Sequence, residues 1–102
     1  IEFNERFRYS DVASDVAFLA MDLEFNGRGD LSESFVENYV KCSRDKELMR
    51  LLPFYKCYRA FVRGKVISFK LNDGNVSNDE KSAAVREAAA YFRLASAYSR
   101  NL

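Results

Sequence analysis

Asp15 and Asp22 stand one heptad apart in a run that is otherwise mostly apolar, Val12-Ala13-Ser14-Asp15-Val16-Ala17-Phe18-Leu19-Ala20-Met21-Asp22-Leu23. A carboxylate placed inside such a run must be hydrogen-bonded or neutralised, because burying it alone costs several kcal/mol. Two readings meet that demand. Either the pair lies on a narrow solvated rim, or Asp15 accepts backbone amides from a loop that packs on its helix.

What else could react is limited. There is no histidine, so Ser-His-Asp and Cys-His nucleophilic sites and histidine-bearing metal sites are excluded within the sequence. Cys42 and Cys57 are spaced as neither a metal nor a redox motif. Lys56, Arg59, Arg63 and Lys70 make a basic edge that could bind phosphate or nucleic acid, but no glycine-rich phosphate loop accompanies it. A solvated helix face or a contact with another lobe accounts for that edge more simply. Nucleic acid is therefore not the expected partner. Catalytic, metal-binding and cofactor-binding residues are all expected to be absent from this segment.

These side chains need elements to carry them. The spacing predicts strand or loop over 1–9, then a helix over 11–26, capped by Ser10 or Asp11 and closed by Asn26-Gly27-Arg28-Gly29. Apolar residues on nearly all sides of that helix predict a central, buried position. A second helix is expected over 31–42 with Asp30 as its cap, and a third over 46–71 with a break at Pro53. Asp45 is the expected cap of that third segment. Its stripe Tyr55, Tyr58, Val62, Val66 and Phe69 is apolar, and a second stripe holds Cys57, Gly64 and Ser68, small enough to admit a neighbouring helix closely. Ser77 with Glu80 three residues on is a capping-box signature for a last helix over 78–99. Four main helices with short connections predict an all-α, antiparallel helical bundle, in one domain spanning 1–102.

Composition agrees with a folded chain. Of 102 residues, 48% are hydrophobic and 15% aromatic, while the net charge is only +1. That balance demands neither nucleic acid nor an anionic membrane. The longest apolar run falls far short of the ~20 residues that a membrane span needs, so no membrane partner is expected. Reduced cysteines and a polar opening fit a cytoplasmic protein.

The segment Asp11-Val12-Ala13-Ser14-Asp15-Val16-Ala17, preceded by Ile1-Glu2-Phe3-Asn4, resembles the aminoglycoside phosphotransferase-like family. Members of that family open a helix with Asp-Pro-x-x-Asp-Leu-Ala; here Val12 replaces the proline and Val16 the leucine. The stretch 51–65, which runs Leu51-Leu52-Pro53-Phe54-Tyr55-Lys56 and on to Lys65, is similar to a subgroup in which this kinase-like domain precedes a P-loop ATP-binding domain. The resemblance covers most of the chain, to about residue 71. It implies that the segment is part of the C-terminal lobe of a kinase-like fold. ATP and magnesium would then be bound by the whole protein, through groups that precede Ile1. Asp15, with Asp11, matches the positions that support the catalytic loop.

Under this resemblance the chain is an excised helical lobe, inactive alone, whose first partner is the missing N-terminal part of its domain. Tyr55, Tyr58, Arg59 and Arg63 are the expected interface residues, and a homo-oligomer is expected where that interface lies bare. The alternative is a free-standing helical module that binds another protein.

Overall fold

The computed structural model describes residues 2–44 and 46–102, with side chains from residue 12 onward. It contains four helices, α1 (Glu2–Phe25), α2 (Gly29–Ser43), α3 (Glu47–Ser68) and α4 (Asn78–Ser99), with a 3₁₀ turn over Phe69–Asn72. Among the described residues there is no strand, and the all-α bundle expected from the sequence is the fold.

The strand or loop expected over 1–9 is instead the beginning of α1, which is helical from Glu2. Ser10 and Asp11 therefore lie inside the helix and cap nothing with their backbone. Helix formation is cooperative, so an established helix extends through residues that would have served as caps had it begun there. The side chain of Asp11 lies outside the described residues, as does Asp45, the expected cap of α3. At its other end α1 stops as expected: Gly27 takes φ 77°, and the Arg28 amide reaches back to the Leu23 carbonyl at 2.8 Å.

α2 starts two residues earlier than its apolar pattern suggests. Asp30 is a first-turn acid rather than the cap, and its carboxylate receives both Nε and the terminal guanidinium nitrogen of Arg28, each at 3.2 Å. Negative charge in a first turn suits the helix dipole, so the residue is useful there without capping. α2 closes on Arg44 in the left-handed region (φ 58°), whose amide reaches the Val40 carbonyl at 2.8 Å.

α3 contains no break at Pro53; the helix runs through it. Proline there removes one backbone bond and crowds the preceding turn. The penalty is overcome by packing on both sides of it. Leu48 and Leu52 are buried before it, Ala60 and Ile67 beyond it. The last helix matches its predicted bounds, with the Ser77 hydroxyl accepting the Glu80 amide at 3.2 Å.

Two cores flank the α1–α3 contact. One joins α1, α2 and α3 through Val16, Ala17, Ala20, Val36, Leu48 and Leu52. The other joins α1, α3 and α4 through Met21, Ala60, Ile67, Ala88, Tyr91 and Ala95. The small second stripe of α3 does admit a close neighbour. A β-carbon at Gly64 would lie 2.8 Å from the Phe92 ring. α3 and α4 run antiparallel, since Cys57 meets Ala95, Phe61 meets Phe92 and Ile67 clusters with Ala84.

α1 is not buried all round, as its composition suggested. Phe18 and Leu19 are exposed on its outer side. Alanine on the inner side lets α2 and α3 approach one face closely, and that leaves the opposite face uncovered.

Candidate functional site

The polar centre of the molecule is Glu24, the next-to-last residue of α1. Its Oε2 accepts the Ser32 hydroxyl of α2 at 2.6 Å and the Lys56 ammonium of α3 at 2.7 Å. Its Oε1 accepts the Tyr98 hydroxyl of α4 at 2.9 Å. One carboxylate thus joins all four helices. The Lys56 ammonium also lies 5.5 Å from the centre of the Tyr98 ring, within cation–π range. Beside it, Phe25 and Tyr91 stack with ring centres 3.7 Å apart.

The side chains of Glu24 and Lys56 retain 24% and 17% of their exposure, so the pair is largely desolvated yet touches water. Two clefts open on it. One of 420 Å³ is lined by Glu24, Ser32, Glu33, Glu37 and Lys56, and one of 240 Å³ by Pro53, Lys56, Tyr98 and Asn101. Among the described residues no buried side-chain nitrogen or oxygen lacks a partner. The geometry is that of a satisfied clamp. Each donor already has its acceptor, so the arrangement can hold helices together but has no group poised to take a proton from a substrate.

Burial pushes the Glu24 carboxyl upward. The hydrogen bonds from Lys56, Ser32 and Tyr98, with the lysine charge, outweigh that and hold it below the usual carboxyl range. Burial first, and the Glu24 carboxylate second, push the Tyr98 phenol far above its usual value. Stability should therefore depend on pH at both ends. The Glu24 contribution is present above about pH 4.3, the unfolded carboxyl value, and is lost as pH falls through the lower folded value. The Tyr98 contribution is present below about pH 10 and is lost as pH rises beyond it. Urea midpoints measured across pH should show a plateau between these limits, and Glu24→Gln should flatten the acid limb most. An acid limb identical in that variant would remove Glu24 as its source.

The residues singled out from sequence are placed differently. Asp15 is 80% exposed on the side of α1, where the Arg59 guanidinium reaches it at 3.4 Å. Arg59 Nε also donates to the Ser14 hydroxyl at 2.9 Å, and its guanidinium carbon lies 5.3 Å from the centre of the Phe18 ring. Asp22 is half-buried. Tyr58 and Arg63 are exposed, Tyr55 is half-buried, and Tyr91 and Tyr98 belong to the core. The basic edge does not act as a unit, because Lys56 turns inward to Glu24 and Arg59 is engaged by α1. Sequence reasoning missed Glu24 altogether, since a lone glutamate beside a helix end carries no local mark of burial.

A second feature lies on the outer side of α3 and α4. Phe54, Cys57, Tyr58, Phe61, Phe92 and Leu102 line an almost wholly apolar groove of 540 Å³. Phe54, Tyr58 and Phe61 are each more than half exposed. Among the described residues no group of His, Cys, Asp and Glu is arranged to hold a metal ion, and no helix is long and apolar enough to cross a membrane.

No family model matches the chain, and no solved structure does. It is similar to uncharacterized protein Rv2004c of Mycobacterium tuberculosis strain H37Rv and to uncharacterized protein Mb2027c of Mycobacterium bovis. Each is 46% identical over 74 residues, a match that takes in 72% of this chain and 15% of the relative. The chain thus matches only a small part of the length of these relatives.

Proposed function

We propose that the chain is the helical part of the C-terminal lobe of an aminoglycoside phosphotransferase-like domain in a cytoplasmic protein. It supports the catalytic loop and one wall of the acceptor site and performs no chemistry alone. The observation that carries this reading is the setting of Asp15. In the segment that resembles the family's loop-supporting motif, α1 presents a carboxylate to solvent, steadied from α3 by Arg59. A carboxylate so placed can accept backbone amides from a loop packing on that side. The short share of the relatives' length fits a segment that works inside a larger protein. The helix from Glu2, where the spacing predicts strand or loop, weighs against it.

The whole protein would bind ATP and magnesium through groups outside this segment, with the loop-supporting role falling to Asp15 and Asp11. The test is calorimetry with magnesium and ATP on this chain and on full-length Rv2004c. Binding by the full-length protein alone is the expected result, and in the whole protein that contains this segment Asp15→Ala should lower phosphoryl transfer with nucleotide affinity little changed. Failure of the full-length protein to bind nucleotide would overturn the reading. The second reading, a protein-binding helical module, is favoured by the exposed aromatic groove on α3 and α4.

A further inference from the structure

The charge along the groove between α3 and α4 is predominantly basic. From 48 to 72 and from 88 to 102 the sequence contains no aspartate or glutamate, yet these stretches hold half of its 16 lysines and arginines. Of those, Lys56 and Arg59 are turned toward α1, and the rest are exposed. Arg50 lies four residues before Phe54 and Lys65 four after Phe61, so both share the helix strip that lines the groove. On α4, Arg93 and Arg100 directly follow the lining residues Phe92 and Ser99. Of these four, Arg50 is paired with an acid among the described residues, Glu47 at 3.6 Å.

The geometry points to an acidic amphipathic helix of a partner protein as the occupant of this groove. Phe54 and Phe61 are two helical turns apart, about 10.5 Å, which matches anchors at i, i+4 and i+7 of a docked helix. The apolar lining receives the anchors, and the basic border faces acidic residues on the partner's flanks. A second copy bound through the same face would set basic border against basic border. An anionic bilayer takes a protruding apolar face more readily than a concave one. This inference stands apart from the phosphotransferase reading, and either can fail without the other.

The probe is a synthetic helical peptide with leucine or phenylalanine at i, i+4 and i+7 and glutamate on its flanks, followed by fluorescence anisotropy on the full chain. Its control is the same peptide with lysine for glutamate. The acidic peptide is expected to bind with a Kd below about 100 µM, and the lysine twin at least ~10-fold more weakly. Phe61→Ser should weaken binding by about tenfold or more. Phe54→Ser serves as the second variant, since both side chains are half exposed and circular dichroism can confirm that each variant keeps its helices. Arg93→Glu with Arg100→Glu should reverse the preference between the two peptides. Equal binding of the twins, or acidic binding unaffected by both serine variants, overturns the proposal. So does binding of oligothymidylate or of anionic vesicles in place of the peptide, or a dimer by light scattering that Phe61→Ser abolishes.

Discussion

Glu24→Ala should lower the unfolding free energy by about 2–4 kcal/mol, a large part of the stability of a small domain. The substitution leaves the Lys56 ammonium largely desolvated with its ion-pair partner gone, and removes the acceptor of the Tyr98 and Ser32 hydroxyls. For a domain near 100 residues that corresponds to a fall in Tm of roughly 10–25 °C. The cost arises from stranding the partners more than from losing the pair. Glu24→Met combined with Lys56→Met should therefore recover the part of the loss that comes from the stranded ammonium, because exchanging a buried ion pair for apolar groups of similar size is often neutral, while the Ser32 and Tyr98 hydroxyls still lack their acceptor. Urea unfolding followed by circular dichroism separates the cases. A single variant within about 0.5 kcal/mol of the parent would show that the clamp contributes little.

Pro53→Ala should act in the opposite direction, raising stability by about 1–3 kcal/mol and Tm by roughly 5–15 °C. Proline occupies the interior of α3, where its missing amide leaves one carbonyl of the preceding turn without its helical partner. Alanine restores that bond and is the best helix former. Two smaller effects oppose the gain. Proline restricts the unfolded chain, and its ring lines the 240 Å³ cleft beside Lys56 and Tyr98. Neither matches the full interior penalty, so the net sign is stabilising. A Tm that falls would mean that the ring's packing in that cleft outweighs the backbone term.

How legible these features were depends on how local their causes are. α4 could be bounded from sequence because its start is encoded within four residues, Ser77 to Glu80, and the hydroxyl does accept the expected amide. The close approach at Gly64 was also readable, since small residues recur at helical spacing on one side of α3. Ser10 and Asp11 misled for the same reason that Ser77 informed. Both segments carry cap residues, but only at Ser77 does a preceding turn force the chain to begin a helix. Pro53 misled because the burial that overrides it comes from contacts across the fold. Glu24 lay furthest from view. Its donors are 8, 32 and 74 residues away, and nothing near residue 24 announces them. Lys56 was read with its basic neighbours, yet a position two or more helical faces wide cannot be resolved by charge alone.

The thin attachment of α2 has a kinetic consequence. Its buried residues among those described are Ser32 and Val36 alone, whereas α3 and α4 each bury five. Opening α2 away from the other helices frees fewer fully buried residues of its own than opening α3 or α4 would, and breaks one hydrogen bond to the clamp, so we expect this helix to have the smallest free-energy gap to a partly open form. Its amides would exchange with solvent through that local excursion while those of α3 and α4 wait for a larger event. The molecule thus has a hierarchy of openings. α2 is the hinged outer leaf, swinging on the Gly27 turn, and the paired long helices form the slow-exchanging keel.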